Sequence, residues 1–104
     1  MDIFKKIIDR EIPASIIYED DVVIAFLDAY PEQPGHFLVV PKSQSKNIIE
    51  NSDEEFIYAM RIVRKLINDR LIKNGITDFR IQVNTGPKAG QTIFHTHIHV
   101  VPYK

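Results

Sequence analysis

The chain has 104 residues, 44% hydrophobic and 26% charged, a balance that suits one folded domain and excludes a disordered or fibrous chain. Thirteen Lys and Arg against 14 Asp and Glu leave a net charge of −1, which argues against a long nucleic acid as partner but not against a small nucleotide. The absence of cysteine excludes disulfides, thiolate zinc sites and cysteine nucleophiles, and no apolar run reaches the roughly 18 residues of a membrane span.

The first residues lack the basic head and long apolar core of a signal peptide, so a cytoplasmic location is expected. Asp2 is placed to cap a short helix in which Ile3, Phe4, Ile7 and Ile8 form one apolar stripe, and Pro13 interrupts any continuation. Ile16 to Tyr18 and Val22 to Leu27 are β-rich runs around the acidic turn Glu19-Asp20-Asp21, a hairpin pattern. Asp28 to Gly35 is a connector with two prolines and a glycine, and His36 to Val40 is a further strand closed by Pro41. Ser52 with Glu55 three residues on forms a capping-box pattern. Phe56, Ala59, Met60, Val63, Leu66, Ile67 and Leu71 then recur at helical spacing, and Gly75 supplies the stop. Phe79 to Val83 is a strand, Asn84 to Gly90 a glycine-bearing loop, and Ile93 to Val101 the last strand. This order predicts one α+β domain over residues 1–104, with a mainly antiparallel sheet and the long helix packed on one face.

The last strand carries His95, His97 and His99, three of the four histidines in the chain, in strict alternation. Side chains two apart on a strand share a face, so the pattern predicts three imidazoles in a row. Four readings are open at this point. The rings are ordinary strand residues; a pair of them with His36 holds a metal; a neutral imidazole is a nucleophile; or the segment is a nucleotide-binding module without turnover. The metal reading is weakened by geometry, because His95 and His99 would lie ~13 Å apart along a strand while zinc–nitrogen bonds are about 2 Å. The nucleophile reading is strengthened by the preceding loop. There glycines allow close backbone approach, and Asn84, Gln91 and Thr92 offer neutral hydrogen bonds to a phosphate.

His95-Thr96-His97-Ile98-His99-Val100-Val101 resembles the histidine triad of the HIT superfamily. Ile3-Phe4-x-x-Ile7-Ile8 with Glu11-Ile12-Pro13 resembles the amino-terminal signature of its Hint branch. Tyr18 to Asp21, Ala25 to Asp28, Pro34 to Lys42, and Asn84-x-Gly86-x-x-x-Gly90-Gln91-Thr92 follow in the same order. The resemblance implies a HIT fold, with a five-stranded sheet, a short amino-terminal helix and one long helix. Two copies would form a homodimer with a continuous ten-stranded sheet. It also implies a purine nucleoside phosphoramidase that works through a nucleotidyl-histidine intermediate, without metal or other cofactor and without a nucleic acid polymer or membrane as partner. The related alternative is cleavage of dinucleoside polyphosphates.

Carried over by position, His97 would be the nucleophile, and His99 would contact the phosphate and assist proton transfer. His95 and His36 would form the supporting network. Asn84, Gly90, Gln91 and Thr92 would hold the α-phosphate of an AMP- or GMP-type nucleotide, and Asp28 the ribose hydroxyls. Ile3, Phe4, Ile7, Phe26 and Leu38 would wall the base pocket. The chain departs from the pattern at Ala29, where relatives carry a bulkier aliphatic residue, and at Thr96, where they carry a hydrophobe. With Lys5, Gln44 and no cysteine, it also lacks the structural zinc site of bacterial relatives. For the dimer, Phe56, Met60, Val63, Ile67 and Leu71 offer more apolar surface than one small sheet face needs.

Overall fold

Asp2 starts α1 (Ile3–Ile8) by accepting the backbone N–H groups of Phe4 and Lys5 on Oδ1, at 3.0 and 3.1 Å, which satisfies donors that a helix start leaves free. The computed structural model describes residues 2–104. After α1 come β1 (Ile16–Glu19), β2 (Val23–Leu27), β3 (Phe37–Pro41), α2 (Asp53–Arg70), β4 (Asp78–Gln82) and β5 (Ile98–Tyr103). The strands form one sheet in the order β1-β2-β3-β5-β4, every neighbouring pair antiparallel. This is the α+β architecture that the element order implied.

The two-residue period of the strands divides the core into two layers. Val23, Ala25, Phe37, Val39, Ile98 and Val100 turn toward Ala59, Ile62, Val63, Leu66 and Ile67 of α2. Ile24, Phe26, Leu38 and Val40 turn the other way and meet Phe4 and Ile7 of α1. With both faces covered, β2 and β3 are buried along almost their whole length, which is why they read as unbroken apolar runs. On β5, Ile98 and Val100 take the α2 face, so His99 lies on the α1 face, opposite Leu38 of β3 and Gln82 of β4.

The acidic hairpin turn is held by Asp20. Its Oδ1 accepts the N–H groups of Val22 and Val23 at 2.8 and 2.9 Å, and its Oδ2 accepts the hydroxyls of Tyr18 and of Tyr58 on α2. Burial by itself would raise this carboxyl; the hydrogen bonds from Tyr58, Val23, Tyr18 and Val22 outweigh it and hold the group down at about 2.

Three sequence expectations are corrected. The capping box is only half made. Ser52 Oγ accepts the Glu55 N–H at 3.1 Å, but the Glu55 carboxylate accepts from Ser43 and Asn51 of the preceding loop instead of returning to Ser52. Pro41 belongs to β3, opposite Val23, because its missing N–H costs nothing at a strand end. The largest difference is the histidine strand, which begins at Ile98 and runs to Tyr103 rather than spanning Ile93 to Val101. Upstream of Ile98 the loop after β3 takes the bonds a ladder would need. Thr96 gives its N–H to Ser45 O at 3.0 Å and its hydroxyl to Asn51 Oδ1 at 2.7 Å. The hydroxyl at this departure from the family pattern is therefore satisfied although Thr96 is buried. Among the described residues, no helix is long and apolar enough to cross a membrane.

Candidate active site

A cavity of about 940 Å³ opens on the α1 face of the sheet. Ile3, Phe4 and Ile7 of α1 line it together with Phe26 of β2 and Leu38 of β3, the five residues expected to wall a base pocket. Asp28, His36, Asn84, Gly90, Thr92, His97 and His99 line it as well. A second cavity of about 640 Å³, lined by Arg70, Gly75 and Lys104 among others, contains none of these residues.

The histidines do not form a row on one strand, because only His99 lies in β5, yet their rings cluster. His97 and His99 have ring centroids 4.9 Å apart, and His36 and His99 5.2 Å. The tautomers of His97, His36 and His99 follow from their partners. His97 Nδ1 lies 2.7 Å from the carbonyl oxygen of His95, which can only accept, so Nδ1 carries the proton and Nε2 keeps its lone pair. His36 Nδ1 accepts the backbone N–H of Glu32 at 3.1 Å, so the His36 proton sits on Nε2. That proton is given to His99 Nδ1 at 3.0 Å, which leaves the proton of neutral His99 on its own Nε2. The cavity is therefore offered a nitrogen lone pair on His97 and an N–H on His99.

Burial holds His97 below the ordinary imidazole range, although its hydrogen bond to the His95 carbonyl pulls the other way. Burial, joined by His97 and His36, pushes His99 down to about 4. Both rings are thus neutral near pH 7, the state that nucleophilic attack by His97 requires.

Asp28, His36 and His99 each bring one ligand atom to within 4.8 Å of the others, a spacing compatible with a cation. The Glu32 N–H argues against one. A metal on His36 Nε2 would move the ring proton to Nδ1, where it would face another donor rather than the acceptor that ligating imidazoles use.

Two of the expected site residues stand behind the cavity. His95 is fully buried, with Nε2 2.6 Å from Pro41 O and Nδ1 2.7 Å from Asp2 Oδ2. Gln91 does not reach the cavity, which corrects its expected contact with phosphate. Its Oε1 accepts the Gly86 N–H at 2.8 Å, while its Nε2 donates to Lys46 O and Ile93 O. It braces the loop whose other members, Asn84, Gly90 and Thr92, line the pocket. Gly90 has φ of +95°, a backbone conformation that favours glycine. Sequence reading missed the Glu32 N–H, since a backbone donor leaves no residue signature, and it saw Asp2 only as a helix cap.

Comparison with known proteins follows the same lines. The family model described as HIT domain matches residues 9–104. A HIT-like protein of Mesomycoplasma hyorhinis is 50% identical over 102 residues, covering 98% of this chain and 92% of that relative. The structure resembles a HIT family hydrolase from Clostridium thermocellum with a TM-score of 0.86 and 36% identity, over 98% of this chain and 90% of that one. It resembles a histidine triad nucleotide-binding protein from Candida albicans with a TM-score of 0.92 and 29% identity, over 100% of this chain and 76% of that one.

Proposed function

The chain belongs to the HIT family, and from that membership we propose that it is a nucleotide hydrolase that cleaves purine nucleoside phosphoramidates through a transient bond between His97 and the α-phosphorus. The observation that carries this reading is the pairing of a free Nε2 lone pair on His97 with an N–H on His99, at one cavity and on rings 4.9 Å apart. The base lies against the apolar wall of Ile3, Phe4, Ile7, Phe26 and Leu38; Asn84, Gly90 and Thr92 bind the phosphate, and Asp28 takes the ribose hydroxyls.

The bound phosphate anion favours a second proton on His99, and the Asp28 carboxylate, with Oδ2 4.0 Å from His99 Nδ1 and 3.4 Å from His36 Nε2, supplies negative charge that stabilises the cation. His97 Nε2 forms a bond to phosphorus as the phosphorus–nitrogen bond to the amine breaks, and the amine leaves with the proton from His99 Nε2. Water then attacks the adduct, His99 Nε2 takes its proton, and His97 departs as the neutral ring it was. The sum is phosphoramidate plus water giving nucleoside monophosphate plus amine. No metal or other cofactor enters the sequence.

Charge favours this substrate over a dinucleoside polyphosphate. Asp28 and Glu32 line the cavity, and among the lining residues there is no Lys or Arg to meet a chain of phosphates. Adenosine 5′-phosphoramidate should accordingly be hydrolysed with a kcat/KM at least tenfold above that of diadenosine triphosphate, in the presence of EDTA. Preference for the polyphosphate would support the alternative reading. AMP binding with turnover of neither would leave a nucleotide-binding module.

The protein also works as a homodimer in this proposal, with β4 at the junction of a ten-stranded sheet. Val63, Ile67 and Leu71, expected to supply surplus apolar surface, are consumed within the protomer. The surplus lies instead on the edge strand β4, where Phe79 and Ile81 are 38% and 39% exposed, and on α2, where Ile57 is 60% exposed. Light scattering should give a dimer mass at micromolar concentration and a monomer mass for Ile81→Glu. A monomer for the unaltered chain contradicts the proposal.

A further inference from the structure

Asp2 makes two kinds of contact that no other side chain in the site combines. Oδ1 caps α1 through the N–H groups of Phe4 and Lys5, at 3.0 and 3.1 Å. Oδ2 meets Nδ1 of the fully buried His95 at 2.7 Å. We propose that Asp2 is a positioning residue for the nucleophile, holding His95 so that the carbonyl of His95 fixes the ring of His97.

His95 lies outside β5, so no strand ladder fixes its backbone. Two other holds act instead: the ring lies between Asp2 Oδ2 and Pro41 O, 2.7 and 2.6 Å away on opposite ring nitrogens, and Thr96, in the same peptide unit as the His95 carbonyl, gives its N–H to Ser45 O at 3.0 Å. The carbonyl of the same residue takes the Nδ1 proton of His97 at 2.7 Å and thereby directs the free Nε2 into the cavity. The cap acts in the same sense through Phe4. The ring of Phe4 sits edge-on to His97 with centroids 4.9 Å apart and edge-on to His95 at 6.1 Å. One carboxylate thus registers α1, and with it the apolar wall, against the nucleophile. The interpretation in terms of catalysis rests on the proposed function; the positioning of His97 does not.

Two substitutions separate the two contacts. Ser is a good helix cap but is too short to reach His95, whereas Ala loses both contacts. Asp2→Ser is expected to bind AMP within about twofold of the unaltered protein but to lose kcat by on the order of tenfold to a hundredfold, as misplacement of a reacting group does. In 15N spectra, His97 of the unaltered protein should be a single Nδ1–H tautomer, and Asp2→Ser should populate both tautomers. Asp2→Ala should lose AMP affinity in addition. An Asp2→Ser protein with unaltered kcat and a single His97 tautomer overturns the proposal. So does a loss of kcat that only follows losses of AMP affinity and Tm in both variants, since Asp2 would then be a cap alone. If the unaltered protein does not hydrolyse phosphoramidates, the functional reading fails while the spectra still decide the role of Asp2.

Discussion

His97→Ala is expected to lower kcat for adenosine 5′-phosphoramidate by on the order of 10⁴-fold or more, the scale of losing a nucleophile, while AMP still binds within a few-fold. The expectation follows from the tautomer. Because His97 gives its only proton to the carbonyl of His95, its Nε2 is the one imidazole lone pair directed at the cavity, and no neighbouring ring can replace it without breaking its own hydrogen bond. The same reasoning sets the pH dependence of the unaltered protein. Burial lowers the proton affinity of His97, so the nucleophile stays unprotonated below the usual imidazole range. The acid limb of kcat/KM should lie below pH 6.5, with activity lost as pH falls through the lowered value. Steady-state kinetics beside AMP titration checks both statements. An alanine variant retaining more than a tenth of the rate would remove His97 from the chemistry.

His99→Ala is expected to cost about 10²–10⁴-fold, the usual range for general acid–base catalysis, and the cost should depend on the leaving group. An alkylamine must leave with a proton, which His99 Nε2 is positioned to give. A nucleotide ester of 4-nitrophenol leaves as a stable anion and needs none, so its first step should survive the substitution far better. The comparison isolates proton transfer from phosphate binding, because both substrates carry the same nucleotide. Equal losses on the two substrates would make His99 a phosphate contact only. His36 should matter less directly, since it reaches the reaction through His99 Nδ1, 3.0 Å away.

Much of this arrangement is legible in the sequence wherever local chemistry and long-range packing agree. Ser52 caps the start of the long helix, whose apolar positions recur at helical spacing, and the apolar runs of β2 and β3 follow from burial on both faces; Gly75, expected as the stop of that helix, instead ends the 3-10 turn Ile72–Asn74 that follows it. Reading failed where a distant segment competes for a bond. The alternation of His95, His97 and His99 is a strand pattern, but Ser45 and Asn51 take the bonds of Thr96 and leave residues 91–97 irregular. Glu55 is drawn from the capping box by Ser43 and Asn51, partners from the preceding loop. Gln91 stands among phosphate-loop residues in sequence, but its amide is consumed by three backbone groups. Asp2 shows the converse. Its helix-capping signal is local and readable, but its bond to His95, 93 positions away, depends on the fold bringing the two ends of the chain together.

The stereochemical course at phosphorus probes most directly whether His97 forms a covalent bond to the nucleotide. Adenosine 5′-thiophosphoramidate of a single configuration, hydrolysed in 18O-labelled water, becomes a chiral product whose handedness counts the displacements. Two in-line displacements, first by His97 and then by water, should give overall retention. Inversion would mean that water attacks the substrate itself and that His97 never holds the nucleotide.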